Sequence, residues 1–228
     1  MSKIGVLLPA FNEEENIQGI IKETKNCLPN AEIIVVDDGS KDRTSRWARR
    51  AGAKVLKHEV NRGKGEAVRT GIKFFLNQSN VDFVVIVDAD GQYSIKEVPK
   101  LVYPLEHEEA DVVTGFRNWD STPFRHRVGN SLWRFCFNML LGMDLRDTNC
   151  GFIALNRNAM DKIRNIGGGY IIENELLIDA LRNGLEIKQV PVSVKYMKKS
   201  GVFRGIKIVL NVLVFIISEG LRYRLSLN

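Results

Sequence analysis

Short apolar segments alternate with helix-like segments over the first 90 residues of this chain, and this alternation limits the folds that it can adopt. The apolar segments predict strands at 4–8, 32–36, 53–58 and 81–87, and a helix is predicted at 64–77. Strands that alternate with helices form parallel sheets with helices packed on their faces. The sequence therefore predicts an α/β fold with a Rossmann-like, mostly parallel sheet covered by helices.

The second half of the chain alternates less regularly. Strands are predicted at 110–116, 151–155 and 186–196, with a long helix at 125–141 between the first two. Pro191 cannot donate a backbone hydrogen bond to a neighbouring strand. The last strand is therefore expected at an edge of the sheet or at a bend.

Polar residues mark two helix boundaries. The acidic residues at 13–15 are predicted to form the first turn of a helix at 13–27, where negative side chains interact favourably with the helix dipole. In the next helix, Ser40 or Asp42 is predicted to cap the amino end, and Gly52 marks the carboxyl end.

Composition and charge are those of a folded globular protein. Hydrophobic residues make up 44% of the 228 residues and charged residues 26%. The net charge of +6 suits anionic ligands such as phosphates, but the basic residues are too dispersed for a nucleic-acid interface. Cys27, Cys136 and Cys150 show neither metal-site spacing nor a disulfide framework, and the amino terminus has no signal-peptide pattern. These features predict a cytoplasmic location.

The C-terminal segment at 206–218 is strongly apolar, but it is shorter than the roughly 20 residues that cross a bilayer. Four polar residues fall along one face of a helix there: Lys207, Asn211, Ser218 and Arg222. Such a helix lies on a membrane surface, binds a partner subunit or packs on its own domain, and the sequence leaves these alternatives open. We expect one domain at 1–205 followed by this amphipathic helix at 206–228.

Polar loops follow all four of the predicted amino-terminal strands. Their sequences are PAFNE (9–13), DDGSKD (37–42), NRGKGEA (61–67) and DADGQ (88–92). Ligands of open α/β sheets bind beyond the carboxyl ends of the strands. We therefore expect these loops to meet at one site.

The DADGQ loop carries oxygen ligands at alternate positions. In extended backbone Asp88, Asp90 and Gln92 would point the same way and converge on one cation. Oxygen ligands suit Mg²⁺ or Mn²⁺, which share their coordination shell with water and substrate phosphates. The alternative is a local turn in which Asp90 bonds to its own backbone.

The other three loops offer groups that bind a nucleotide. Lys64 follows a glycine at a predicted helix start and suits a phosphate, although the loop lacks the spacing of a Walker A motif. Asp37 and Asp38 can accept hydrogen bonds from a base or a ribose, or else cap a helix. Phe11 can stack on a base and Glu13 can accept a hydrogen bond, unless both have only structural roles.

In order and spacing, these motifs resemble those of family-2 glycosyltransferases. The segments are LLPAFNEEENI, IIVVDDGSKDRT, NRGKGEAVRTGI and VVIVDADGQY, followed by VTGFR, DTNCGF and QVPVSVKYMKKSGVFRG. The branch that makes dolichyl-phosphate mannose and polyprenyl-phosphate glucose is the most similar, and the resemblance covers residues 4–205. It implies a GT-A catalytic domain, a nucleoside-diphosphate-sugar donor such as GDP-mannose, UDP-glucose or UDP-GlcNAc, and inversion at the anomeric carbon.

The resemblance also implies roles for individual residues. Donor binding falls on Pro9, Phe11, Glu13, Val36, Asp38, Lys64, Asp88, Ala89, Asp90, Gln92, Lys198 and Arg204. Asp88, Asp90 and Gln92 would bind Mg²⁺ or Mn²⁺. Phe203 replaces a serine usual in the late basic motif, and the lysine and arginine of that motif have changed places. Lysine and arginine are not interchangeable at bidentate sites, so we expect the phosphate contacts of this loop to differ from those usual in the family.

Two acceptor classes remain open from the sequence. A polyprenyl or dolichyl phosphate is already anionic and needs no strong base, and Arg117, Arg125 and Arg127 would bind its phosphate. A saccharide hydroxyl needs a base, for which Asp147 is the candidate. Asp90, Arg117 and Asp147 are the expected catalytic residues, and a non-catalytic nucleotide-sugar-binding subunit is a third hypothesis.

The predicted helix at 125–141 combines three arginines with apolar residues, among them Trp133 and Phe135. It is either a core helix with a basic start or, together with the C-terminal helix, a surface that meets a lipid acceptor. The second hypothesis predicts a peripheral protein on the cytosolic face of a membrane, with a membrane-bound subunit as a further candidate partner.

Overall fold

A seven-stranded sheet with helices on both faces forms the centre of the molecule. The computed structural model describes residues 2–117, 124–164, 166–167, 172–195 and 202–226, without the side chains of 124–130, 202–212 and 226. Its strands are β1 (Ile4–Ala10), β2 (Glu32–Asp37), β3 (Lys54–Lys57), β4 (Phe83–Ile86), β5 (Val112–Arg117), β6 (Ile153–Asn156) and β7 (Ile187–Val192). Its helices are α1 (Ile17–Cys27), α2 (Thr44–Arg50), α3 (Lys64–Gln78), α4 (Val98–Glu106), α5 (Phe124–Leu141), α6 (Arg157–Lys162), α7 (Ile172–Arg182) and α8 (Val202–Ser226).

The order of the strands in the sheet is β3-β2-β1-β4-β6-β5-β7. Only β6 runs antiparallel to its neighbours β4 and β5, and the other paired strands are parallel. The predicted mostly parallel sheet is therefore confirmed. β7 lies at an edge, which is where Pro191 was expected to place it.

The alternation of side chains along β1 divides the core into two layers. Val6 and Leu8 pack on the face covered by α1, α2 and α4, whereas Leu7 packs on the face covered by α3, α6 and α7. Gly71 of α3 lies directly against Leu7, and a β-carbon there would overlap its side chain. This close approach sets the height of α3 above the sheet, and α3 begins with Lys64.

Two predicted boundaries differ from the structure. α1 begins at Ile17 instead of residue 13, and Glu13 to Asn16 form a turn in which the Glu13 carbonyl accepts the amides of Asn16 at 3.1 Å and Ile17 at 3.0 Å. The acidic residues at 13–15 are therefore not in its first turn, and that prediction was wrong. Asp42 accepts the amide of Thr44 at 2.9 Å, whereas Ser40 accepts the amide of Asn12.

The residue at the amino-terminal boundary of α2 is Arg43, so neither predicted cap stands there, although Asp42 bonds to the first helical amide. α2 ends at Arg50, and Gly52 follows with a positive φ of 85°. This left-handed conformation is one that glycine adopts without steric cost. The predicted role of Gly52 in ending the helix fits this geometry.

α8 packs on α5 along the side of the domain. Ile216 and Phe137 are fully buried together, and a β-carbon at Gly220 would overlap Leu140. α8 begins at Val202, four residues before the expected start, and continues through the predicted boundary at 205. Of the helices in the described part of the chain, none is both long and apolar enough to span a bilayer.

Seven large apolar side chains are exposed on these two helices: Leu132, Phe135 and Met139 on α5 and Val214, Ile217, Leu221 and Leu225 on α8. We call this set the α5–α8 apolar face. Ser218 and Arg222, two residues of the predicted polar stripe, are also exposed, whereas the side chains of Lys207 and Asn211 lie outside the described residues.

Arg224 stabilises the carboxyl end of α5. Its guanidinium donates to the carbonyls of Leu140 at 2.9 Å and Met139 at 2.6 Å. The last carbonyls of a helix have no hydrogen-bond partner within the helix and carry partial negative charge. A guanidinium supplies both hydrogen-bond donors and a positive charge.

We expect Arg224→Ala to lower the free energy of unfolding by about 1 kcal/mol, because two hydrogen bonds to helix carbonyls are lost. Urea unfolding followed by circular dichroism measures this. Arg222→Ala is the matched control, because Arg222 makes an exposed ion pair with Glu219 on the same helix. Equal losses for the two variants would contradict the capping role.

Candidate active site

A cleft of about 860 Å³ opens at the carboxyl ends of the amino-terminal strands. Nine of the predicted site residues line it: Pro9, Phe11, Glu13, Asp38, Lys64, Asp88, Ala89, Asp90 and Arg117. Four more residues of the predicted loops line it, Ala10, Asn61, Gly63 and Ala67, whereas sequence reasoning did not assign Trp133, Asn149, Ile172 and Glu173 to this cleft. Three predicted site residues do not line the cleft: Val36, Gln92 and Asp147. Lys198 and the side chains of Arg125, Arg127 and Arg204 lie outside the described residues.

Asp38 connects the end of β2 to the loop before α3. Its Oδ1 accepts the amide of Arg62 at 2.9 Å and lies 2.7 Å from Nδ1 of His58, and its Oδ2 accepts the amide of Gly63 at 2.8 Å. Nε2 of His58 lies 2.9 Å from the hydroxyl of Thr70. Most of the hydrogen-bonding capacity of Asp38 therefore holds the loop that positions Lys64.

Asp37 has a structural role beside it. Its carboxylate accepts the amide of Ser40 at 2.8 Å and the hydroxyl of Ser45, and its side chain is fully buried. Helix capping was the alternative role for these two acids, and neither of them caps α2, whose amino-terminal boundary residue is Arg43. Phe11, in contrast, is exposed at the mouth of the cleft, where a flat ring can stack on a base.

The DADGQ loop is a turn and not an extended segment. β4 ends at Ile86, and Gly91 has a positive φ of 76°. Oδ1 of Asp90 accepts the amide of Gln92 at 3.1 Å, and Oδ2 accepts its side-chain amide at 2.7 Å. The expectation that three alternate side chains point the same way in extended backbone was wrong, because the local turn competes with strand geometry.

Lys64 lies between two carboxylates in the cleft. Its Nζ is 2.6 Å from Oδ1 of Asp88 and 2.6 Å from Oε1 of Glu173. Burial lowers the pKa of Lys64, but the two carboxylates more than offset this, and the pKa lies above its usual value. Burial raises the pKa of Asp88; Lys64 opposes this, and the charges of Glu173 and Asp90 add to it.

The chemistry of this cluster fits a divalent cation held in part by the protein. Asp88 and Asp90 both line the cleft, and the Lys64 ammonium shows that the position beside Asp88 accepts positive charge. No group of three or more His, Cys, Asp or Glu side chains in the described ranges is arranged to hold a metal. The remaining ligands would be phosphate oxygens and water, as is usual for Mg²⁺.

Arg117, which lines the cleft, forms a bidentate ion pair with Asp147 behind the cleft lining. Nε of Arg117 lies 2.6 Å from Oδ2 of Asp147, and Nη2 lies 2.9 Å from Oδ1. The side chain of Asp147 is only 1% exposed, and its Oδ1 also accepts the amide of Asn149 at 3.0 Å. Burial lowers the pKa of Arg117, but Asp147 outweighs this and keeps the pKa above its usual value. The pair therefore presents a fixed cation to the cleft.

Comparison with known proteins identifies the family. Residues 5–164 match the model of the family described as Glycosyl transferase family 2. The chain belongs to this family.

Two relatives and a solved structure extend the comparison. The UDP-N-acetylglucosamine–dolichyl-phosphate N-acetylglucosaminyltransferase of Methanococcus voltae is 29% identical, and the alignment covers 93% of this chain and 93% of the relative. The polyprenol monophosphomannose synthase of Mycolicibacterium smegmatis is 28% identical over 205 residues, 82% of this chain and 76% of the relative. Glucosyl-3-phosphoglycerate synthase from Mycobacterium tuberculosis, crystallised with Mn²⁺, uridine diphosphate and phosphoglyceric acid, is 28% identical with a TM-score of 0.77, covering 96% of this chain and 78% of that one.

The protein is thus a glycosyltransferase with the GT-A fold, and the resemblance seen in the sequence is confirmed. The non-catalytic hypothesis loses its support, since the family is one of enzymes. Divalent metal is used by neighbours of this fold, as the Mn²⁺ complex indicates. The individual site residues remain predictions that the cleft geometry makes testable.

Gly151 makes room for the Asp88 carboxylate in this glycosyltransferase. A β-carbon at position 151 would overlap the side-chain oxygens of Asp88. The amide of Gly151 also donates to the hydroxyl of Tyr93 at 3.1 Å, which holds this segment against the turn that follows Asp90. Any larger residue there must displace Asp88.

We expect Gly151→Ala to raise the dissociation constant for Mn²⁺ about tenfold, because the displaced carboxylate no longer occupies its position. Isothermal titration calorimetry measures this, and a melting curve checks folding. Gly19→Ala is the matched control, because a β-carbon at this exposed helical position contacts nothing. Unchanged Mn²⁺ affinity in a folded Gly151→Ala protein would show that Asp88 does not bind the metal.

Proposed function

We propose that this glycosyltransferase transfers a hexose from a nucleoside-diphosphate sugar to a polyprenyl or dolichyl phosphate, with Mg²⁺ or Mn²⁺ and with inversion at the anomeric carbon. GDP-mannose, UDP-glucose and UDP-GlcNAc are the candidate donors. The names of the two relatives support this acceptor class. The complex of the structural neighbour with Mn²⁺ and uridine diphosphate supports the donor class and the metal.

The donor would bind along the strand ends. Phe11 would stack on the base. Asp38 would contact the nucleoside through the hydrogen-bonding capacity that its contacts with the loop before α3 leave unused. Asp88 and Asp90 would hold the metal against the diphosphate, with Gln92 bonded to Asp90 instead of acting as an independent ligand. The metal, when bound, stabilises the negative charge that grows on the leaving nucleoside diphosphate. Pro9, Glu13, Val36, Ala89, Lys198 and Arg204 keep their predicted donor roles.

The observation that carries the acceptor proposal is the bidentate contact between Arg117 and Asp147. Both oxygens of Asp147 accept hydrogen bonds from the arginine, and the side chain is almost fully buried. A carboxylate held in this way is poorly placed to remove a proton from a hydroxyl, because a general base must be within reach of that proton. The arrangement instead favours an acceptor that is already anionic.

Arg117 would bind the acceptor phosphate through the guanidinium hydrogens that Asp147 does not occupy. With the acceptor oxygen already charged, the protein needs only to position it and exclude water. Arg125 and Arg127 at the start of α5 are predicted to contribute further positive charge. Asp147 then acts on Arg117 and not on the substrate.

The α5–α8 apolar face supplies a surface for the lipid. It joins exposed side chains from two helices packed side by side, which is a pattern of proteins that insert part of their surface into the interface of a bilayer. We propose peripheral association with a membrane through this face, on the cytosolic side. A membrane-bound partner subunit is the alternative occupant.

The proposed reaction is tested with the purified protein, Mn²⁺ and each candidate donor. A short polyprenyl phosphate is the acceptor, and the corresponding polyprenol without phosphate is the matched control. We expect glycolipid only with the phosphate and with one preferred donor, detected by mass spectrometry. Transfer to a glycan acceptor with no lipid product from any donor would overturn the acceptor proposal.

Asp147→Asn separates the two roles of this residue. If Asp147 positions Arg117, we expect KM for the lipid phosphate to rise about tenfold, with kcat at saturating acceptor changed much less. A general base would instead lower kcat by about 100-fold or more at all acceptor concentrations. Steady-state kinetics decide between these outcomes, and Asp144→Asn, at an exposed aspartate nearby, is the control.

Membrane binding is tested by placing charge on the apolar face. We expect the double variant Phe135→Glu and Leu221→Glu to lower binding to liposomes at least about tenfold, because charged side chains resist insertion. Co-sedimentation with vesicles measures this. Tyr103→Glu on α4 is the control at an exposed aromatic residue outside the face. Equal vesicle binding by the double variant and wild type would reject membrane docking through these helices.

A further inference from the structure

Lys64 places a positive charge at the position where Asp88 would receive a metal ion. Its Nζ contacts Oδ1 of Asp88 and Oε1 of Glu173 at the same distance, 2.6 Å. An ammonium and a divalent cation on one carboxylate repel each other strongly at such distances. Metal binding at Asp88 therefore has to change the contact made by Lys64.

The charges around Lys64 favour an exchange of partners. Lys64 pairs with two carboxylates, those of Asp88 and Glu173, and the nearby Asp90 also lines the cleft. Lys64 can therefore give up its contact with Asp88 and still keep a carboxylate partner.

Glu173 is placed to retain Lys64. The side chain of Glu173 is 12% exposed, so losing its ion pair would leave a poorly solvated charge unpaired, which is costly. Glu173 belongs to the first turn of α7 and Lys64 is the first residue of α3. The backbones of Lys64 and Glu173 are each fixed by a helix. The Lys64 side chain can therefore move away from Asp88 while both backbones stay in place and the contact with Glu173 is kept.

We propose that Glu173 is a positioning residue that holds Lys64 when a divalent cation replaces it at Asp88. In the absence of metal, Lys64 balances the charge of Asp88. When metal binds, Lys64 keeps Glu173 as its partner and remains in the cleft wall, where its other hydrogens can contact a donor phosphate. The inference rests on the proposed metal role of Asp88 and Asp90.

The exchange is tested by Mn²⁺ binding to the whole protein without nucleotide, measured from the electron paramagnetic resonance signal of free Mn²⁺. The proteins are wild type, Lys64→Met, Glu173→Gln and the double variant. We expect Lys64→Met to lower the dissociation constant at least about fivefold, because a competing cation is removed. Glu173→Gln should raise it at least about fivefold, because Lys64 then depends on Asp88 alone.

The double variant isolates the role of Glu173. If Glu173 acts through Lys64, adding Glu173→Gln to Lys64→Met should change the dissociation constant by less than about twofold. A loss of affinity by the same factor in both backgrounds would show that Glu173 acts only through its charge, and would overturn the positioning role. Unchanged or weaker Mn²⁺ binding by Lys64→Met would overturn the exchange itself.

Controls keep this test separate from the proposed function. Lys100→Met removes a lysine from an exposed ion pair with Glu97 and should leave the dissociation constant unchanged. If wild type binds no Mn²⁺ with or without nucleotide, the proposed metal site fails and this inference fails with it. If wild type binds Mn²⁺ but Lys64→Met does not tighten binding, only the inference fails. Circular dichroism checks the folding of each variant. If Glu173→Gln is unfolded, the dissociation constants of Lys64→Met and Lys100→Met for Mn²⁺ still show whether Lys64 competes with the metal.

Discussion

The parallel pairing of β1 with β2 and β4 is the constraint on which the site depends. Its register places Ala10 beside Asp37 and Leu7 beside Ile86, so three strands end close together. Everything that follows those ends is brought to one edge of the sheet: Phe11, Asp38 and the Asp88 turn. The helices are secondary to this arrangement, because their buried faces match the two layers that the strands define.

Electrostatic pairing then fixes the side chains within that edge. Asp38 holds the loop before α3, Lys64 joins Asp88 to Glu173, and Asp147 orients Arg117. Each pair links elements that are far apart in the chain. The cleft is therefore preorganised, with Lys64 held between two carboxylates and a guanidinium fixed by Asp147, and both features suit the cation-bound leaving group and anionic acceptor of the proposed reaction.

The sequence predicted the elements and the edge of the sheet better than it predicted side-chain partners. Apolar periodicity located all seven strands and the long helices, because burial on a sheet leaves a local pattern. The turn at Asp90 was considered only as the alternative to an extended loop, because the local sequence is compatible with both conformations and only the fold decides between them. Glu173 was missed because its partner, Lys64, is 109 residues away and because no helix was predicted at 172–182. The bidentate pair of Arg117 with Asp147 likewise has no local signal.

The single reversed strand, β6, has a further consequence. Because β6 runs against β4 and β5, its amino end lies beside their carboxyl ends, and the preceding loop enters the cleft instead of the opposite side of the sheet. That loop carries Asp147, Asn149 and Gly151. β6 also separates the ends of β4 and β5 by two interstrand spacings, about 10 Å. The sheet thus sets the separation between the positions proposed for the leaving group, at the end of β4, and the acceptor phosphate, at the end of β5. Side-chain substitutions at either strand end leave this separation unchanged.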